Sequence, residues 1–244
     1  MLNILLPIAG RSEMFDPKLF PYPVPLIEVL GKPIIQRVVE NLSDIGDDIR
    51  FIFTVRDADC RRFHLDNTLS LLTDLPSTVI RIHGETRGAL CSALMAVDYI
   101  NNDEPLLVVN SDQIFKGVLP ALFPRLAASG ADAGCLCFDA VHPRWSYVRL
   151  DNDRVIEAAE KNPISRKAIA GFYYFSTGRI FVEAAKRTIL NGRTVEDRFF
   201  LAPTFNELIL AGKYVRAVEI PSDAYVSFFT PQRIEEFERS IKKN

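Results

Sequence analysis

The 244-residue sequence predicts an α/β fold: a Rossmann-like three-layer sandwich with a mixed, mostly parallel central sheet and a small antiparallel addition. Three observations predict it. Short apolar runs alternate with stretches of helical period through the first half. Four strand-like runs stand close together in the second half before helices resume. Hydrophobic residues make up 48% and charged residues 25%, enough apolar surface for a core and a polar shell around it. No linker, internal repeat or low-complexity tract interrupts the pattern, so one domain over residues 1–244 is expected.

The apolar run Asn3 to Ala9 reads as a first strand that enters a turn at Gly10. Pro33 to Leu42 follows as a helix, with Ile34, Ile35, Val38, Val39 and Leu42 on one face and Pro33 suited to the first turn. The alternation continues with a strand at Arg50 to Val55, a helix at Asp59 to Leu72, a strand at Thr78 to His83, a helix at Gly88 to Ile100 and a strand at Leu106 to Val109. Strands joined by helices of this length form βαβ units. The second half offers strands at Ala133 to Phe138, Ser146 to Leu150, Arg154 to Ala159 and Ala168 to Phe175, with Asp151-Asn152-Asp153 as a turn. Helices Gly178 to Leu190 and Pro203 to Ala211, a strand at Tyr214 to Ile220 and a helix from Pro231 to Ile241 complete the chain.

Charge narrows the function. The formal net charge of −2 provides no basic field for a polynucleotide, so nucleic acid is not an expected partner. No apolar run reaches the ~18 residues of a membrane span, and the amino terminus lacks a charged segment before its short apolar run, so a cytoplasmic location is expected. Cys60, Cys91, Cys135 and Cys137 fall in apolar segments and read as buried thiols; a zinc site would need ligands at closer spacing than His64, His83 and His142 allow.

Ligands of open α/β sheets bind outside the carboxyl ends of the parallel strands, which directs attention to the loops after Ala9, His83 and Val109. Small residues at Ala9 and Gly10 let backbone amides approach a phosphate, with Arg11 beside them. His83-Gly-Glu-Thr-Arg87-Gly88 runs straight into a helix; Gly88 permits close approach of a nucleoside or phosphate, or serves only as a helix entry, and Arg87 is a phosphate or base contact or a solvated arginine. Asp112 ends an apolar strand, where an acid either holds a hard divalent cation or caps a turn. His142-Pro-Arg-Trp145-Ser-Tyr147 offers aromatic rings for ligand stacking or for packing under a loop.

In order and spacing these segments resemble the sugar-1-phosphate nucleotidylyltransferases. The shared residues include Ala9, Gly10, Phe15, Pro23, Pro25, Leu26, Gly31, Lys32 and Pro33, then Gly88, Asp112, the Glu160-Lys161 pair and Ala170-Gly171. The region around Trp145 and the run Arg193 to Pro203 resemble a capsule-associated branch. The resemblance implies transfer of a nucleotidyl group from a nucleoside triphosphate to a sugar 1-phosphate or similar phosphorylated small molecule, with loss of pyrophosphate, in polysaccharide precursor synthesis. It assigns Ala9, Gly10, Arg11, His83, Arg87 and Gly88 to the nucleotide. Glu160, Lys161 and Gly171 go to the acceptor and Asp112 to Mg²⁺, with Asp112 and Lys161 the catalytic pair. The chain departs from the pattern where the family places an arginine and a lysine on the triphosphate: Ser12, Glu13, Met14 and Val24 stand there. Ser227 stands where a second metal carboxylate is expected, with Asp223 nearby but out of register, and Asn110 breaks the Asp-x-Asp of related glycosyltransferases. Loss of one electrostatic stabiliser costs ~2.7–4 kcal/mol in a transition state. A catalytically impaired nucleotide binder with a regulatory or scaffolding role is therefore the alternative. The oligomeric state, a homo-oligomer included, stays open.

Overall fold

The computed structural model describes residues 1–10, 12 and 14–242. Strand β1 (Leu2–Pro7) opens the chain, and a 3₁₀ turn at Val24–Leu26 leads into the ribbon of β2 (Glu28–Val29) and β3 (Lys32–Pro33). Then come α1 (Ile34–Ser43), β4 (Ile49–Arg56), α2 (Asp57–Phe63), α3 (Leu65–Ser70), β5 (Ser77–Ile82), α4 (Ala89–Leu94), α5 (Val97–Ile100), β6 (Leu106–Val109) and β7 (Gln113–Phe115). The second half comprises α6 (Leu119–Ala127), β8 (Ala133–Asp139), β9 (Ser146–Asp151), β10 (Arg154–Glu160), β11 (Lys167–Phe175), α7 (Gly178–Leu190), α8 (Pro203–Leu210), β12 (Val215–Glu219), β13 (Tyr225–Ser227) and α9 (Pro231–Lys242).

Among the described residues one nine-stranded sheet runs in the order β5-β4-β1-β6-β11-β8-β12-β10-β9. The half from β5 to β6 is parallel throughout, as the βαβ reading requires. The antiparallel strands are built into the same sheet: β11 pairs antiparallel with both β6 and β8, β12 pairs parallel with β8, and β10 pairs antiparallel with both β12 and β9. Alternate side chains separate two cores, because successive residues of a strand face opposite sides. Ile4, Leu6, Phe51, Phe53, Leu107 and Val109 meet α1, α3, α6 and α9 on one face. Leu5, Ile52, Leu106 and Val108 meet α4, α5, α7 and α8 on the other. Cys135 and Cys137 share this second face and, like Cys60, are buried; Cys91 is half-buried, and all four are free thiols.

Two expected helices are each broken in two. His64 adopts left-handed backbone (φ 53°) and its amide closes on the Cys60 carbonyl, ending α2 and restarting the chain as α3 so that Leu65 and Leu69 reach the core. The stretch from 88 to 100 bends at Met95 and Ala96, which lets Leu90, Ala93, Ala96 and Ile100 all be buried. Helix α6 was hidden by Pro120 and Pro124; an interior proline breaks the hydrogen-bond ladder and argues against a helix. No described helix is long and apolar enough to cross a membrane.

Candidate functional site

The chain leaves β6 at Val109 and immediately meets β11, which runs alongside in the opposite direction. The Asn110 amide donates to the Gly171 carbonyl at 3.0 Å. Gly171 has φ +58°, and a Cβ there would lie 2.3 Å from Asn110 Nδ2 and 2.5 Å from Gln113 Oε1, so a side chain would be strained and would have to push both amides aside. Gln113, buried at the start of β7, donates from Nε2 to the carbonyls of Ala170 (2.6 Å) and Gly171 (3.0 Å), and its Oε1 accepts from the Tyr225 hydroxyl at 3.0 Å. The ribbon β7–β13 sets Ser227 opposite Gln113, and the Phe228 amide donates to the Asp112 carbonyl at 2.7 Å. Asp112, one residue before β7, and Ser227, at the end of β13, are thus held by two strands locked in register.

These elements surround a cleft of about 840 Å³. Asn110, Asp112, Gly171 and Ser227 line one part of it, Glu160, Lys161, Ser146 and Trp145 another, and Ser12, Met14 and Arg198 contribute from two loops. Loss of solvent around Asp112 pushes its carboxyl up to about 6. Burial pushes Glu160 up to about 7, although the Ser146 hydroxyl donates to it and Lys161 lies near. Lys161 sits at the end of β10 with φ +53°; its amide donates to the Trp145 carbonyl at 3.1 Å, and its ammonium pairs with Glu196 and lies 5.4 Å from the centre of the Phe200 ring. Trp145 packs edge-on against Tyr225 and Phe138, forming a wall, whereas Tyr147 is fully buried with its hydroxyl on the His142 carbonyl.

The residues that the resemblance assigns to the nucleotide are placed differently. Ala9 and Gly10 follow β1 in the loop that brings Ser12 and Met14 to the cleft; Arg11 and Glu13 lie outside the described residues. Gly88 does not open onto free space: with φ +110°, a Cβ there would fall 2.3 Å from the Phe199 carbonyl oxygen. The close approach that this glycine permits is to the chain's own backbone, and the Leu90 amide donates to that same carbonyl. Arg87 reaches the Asp197 carbonyl at 3.3 Å and stacks over Phe199. His83 follows the sheet-edge strand β5 and sits 3.4 Å from Asp57, apart from the residues lining the cleft. Asp223 is exposed and borders a neighbouring cavity of about 620 Å³ instead.

Val24 begins the 3₁₀ turn and packs against the core, while Met14 is 48% exposed at the cleft. Sequence reasoning missed Gln113, Ser146, Glu196, Arg198 and Tyr225 as parts of the site. Gln113 left a trace, a polar side chain next to Asp112 at the head of an apolar triplet. The others depend on contacts across the fold.

A mixed sheet with helices on both faces carries this cleft where its parallel half meets β11. Residues 9–173 match the MobA-like NTP transferase domain, and the chain belongs to that family. It is 28% identical over 196 residues to the bifunctional protein GlmU of Methanocaldococcus jannaschii; the match covers 79% of this chain but only 44% of that relative's length. The fold resembles the nucleoside-diphosphate-sugar pyrophosphorylase of Vibrio cholerae, with a TM-score of 0.86 and 22% identity over 97% of this chain and 99% of that one. A UDP-glucose pyrophosphorylase complexed with UDP-glucose superimposes with a TM-score of 0.80 and 16% identity, over 100% of this chain and 99% of that one.

Proposed function

We propose that this protein transfers a nucleotidyl group from a nucleoside triphosphate to a sugar 1-phosphate or a similar phosphorylated acceptor, in the synthesis of a polysaccharide precursor. An acceptor phosphate oxygen attacks the α-phosphorus, the bond between the α-phosphorus and the bridging oxygen breaks, and pyrophosphate leaves. Positioning and electrostatics carry such a step, and no side-chain nucleophile is needed. The observation behind this reading is that Asp112 and the Glu160-Lys161 pair, 48 residues apart in the chain, line one cleft together with Gly171. Lys161 offers its ammonium to the acceptor's phosphate, and Glu160, oriented by Ser146, takes hydrogen bonds from its hydroxyls.

A divalent cation, Mg²⁺ in this reading, fits the cleft only in company with phosphate oxygens. Among the described residues there is no cluster of three or more His, Cys, Asp or Glu that could hold one alone. Asp112 supplies a carboxylate and Ser227 a hydroxyl, a sparse set that suits an ion completed by water and nucleotide. When bound it neutralises charge on the phosphates. The relatives' names support this reading: one is a nucleoside-diphosphate-sugar pyrophosphorylase and another holds UDP-glucose.

A second reading, a nucleotide or sugar-nucleotide binder with impaired turnover, is favoured by Val24. Its side chain is part of the core packing rather than a cation on the triphosphate. Pyrophosphate release across the four common nucleoside triphosphates and a panel of sugar 1-phosphates, with Mg²⁺, tests the first reading. Release dependent on both partners supports it, and binding without release with every pair supports the second.

A further inference from the structure

The acceptor end of the cleft is already occupied by an anion from the chain itself. Residues 195–198 form a tight turn in which Val195 and Arg198 exchange two backbone hydrogen bonds of 3.0 Å. Its two central residues, Glu196 and Asp197, both take positive φ (50° and 57°), a conformation usually left to Asn and Gly. The turn is tied down from behind: Arg87 donates to the Asp197 carbonyl, and the Phe199 amide donates to the Arg87 carbonyl at 2.7 Å, beside the backbone packing at Gly88. Held this way, Glu196 reaches into the cleft and pairs with the Lys161 ammonium. It is close enough to Glu160 for its charge to oppose that group's ionisation.

Glu196 therefore holds the lysine, with Glu160 near both, at the place where a phosphorylated acceptor would bring two more negative charges. Arg198, from the same turn, also lines the cleft and has no ion-pair partner among the described residues. We propose that Glu196 is a displaceable counterion and an acceptor-specificity residue: it holds Lys161 until an acceptor's phosphate replaces it, and that phosphate then lies between Lys161 and Arg198. This inference rests on Lys161 being the acceptor-phosphate group. An uncharged sugar cannot make the exchange, because it offers nothing to replace the carboxylate on the lysine. Binding becomes a trade of one anion for another, and the site stays closed to unphosphorylated sugars even though Glu160 and Ser146 could hold their hydroxyls. The same arrangement accounts for Arg87 and Gly88, which anchor the turn.

The test uses the full chain with inorganic phosphate and glucose 1-phosphate as probes in titration calorimetry, on the wild type, Glu196→Gln, Glu196→Asp, Lys161→Ala and the Glu196→Gln/Lys161→Ala double variant. The pair is partly exposed, so the expected effect is moderate: Glu196→Gln and the shorter Glu196→Asp each bind phosphate about threefold more tightly, the scale of a surface ion pair. The gain vanishes in the double variant. Glu196→Gln also acquires measurable affinity for free glucose. Unchanged or weaker phosphate binding in both Glu196 variants, with binding still lost in Lys161→Ala, overturns the counterion role and leaves the acceptor assignment standing. Phosphate binding unaffected by Lys161→Ala, or absent from every form, overturns the assignment and the inference with it.

Discussion

Gly171 and Asn110 approach so closely that a methyl group on the glycine would lie 2.3 Å from the asparagine's side-chain nitrogen. The contact joins the end of β6 to β11 and fixes the direction in which the chain carries Asp112 into the cleft. Gly171→Ala adds both a clash and an unfavourable positive φ, so a loss of about 1–3 kcal/mol is expected in urea unfolding. A shift in Asn110 also moves Asp112, and displacement of a reacting group by ~1 Å costs on the order of a hundredfold in turnover. Unchanged stability and turnover in this variant would contradict the placement.

Asp112 makes stability depend on pH in a defined direction. Its carboxyl is pushed from an ordinary 3.8 up to about 6, so the folded chain holds a proton that the unfolded chain releases. The contribution favours folding below pH 4, fades as pH rises towards 6, and stays unfavourable above it. Asp112→Asn removes this penalty and should raise stability at pH 8 by ~1–2 kcal/mol relative to its effect at pH 4. The comparison of the two proteins' melting curves across pH 4–8 checks it; a variant less stable than wild type by the same margin at both ends refutes it. Cation affinity should move the opposite way, rising with pH through about 6 as the carboxylate forms.

Glu160 behaves alike in a later window, between an ordinary 4.5 and about 7. Glu160→Gln should therefore gain stability relative to wild type above pH 7 and lose affinity for the acceptor, read as a raised KM with a smaller change in kcat. Ser146→Ala removes the hydroxyl that donates to the carboxylate, which should raise the Glu160 titration point and move the acceptor's pH profile upward.

Met14 and Val24, which stand where the family pattern has cations, should respond differently to reversal. Met14 is half exposed at the cleft, so Met14→Arg should be tolerated within about 0.5 kcal/mol and should strengthen nucleotide binding. Val24 packs against the core, so Val24→Lys should cost about 1–2 kcal/mol as its apolar contacts are lost. Thermal melts and nucleotide titrations of both variants decide this; equal, small effects on stability would mean that Val24 contributes no packing.

The parallel half of the fold was legible because buried parallel strands are continuous apolar runs, such as Leu106–Val109, separated by helix-period stretches. The order of the strands was not, because it depends on pairings such as Tyr173 with Val108 that leave no local signature. Helix breaks at His64 and Ala96 were hidden for a related reason: apolar spacing continues across the bend, and tertiary burial decides where it falls. The motifs single out Asp112, Glu160, Lys161 and Gly171, and these four residues line one cleft. Gly88 and Arg87 carried the right residue types, yet their partners are the backbone of Phe199 and Asp197. A glycine before a helix marks a close approach without saying to what.

In the proposed transfer Asp112 and Lys161 serve two ends of one reaction. Pyrophosphate release from the best nucleoside triphosphate and sugar 1-phosphate pair, measured with Mg²⁺ on wild type, Asp112→Ala and Lys161→Ala, tests it most directly. Release should require both substrates and fall by about 10²-fold or more in each variant. Release that persists at the wild-type rate in either variant would contradict it.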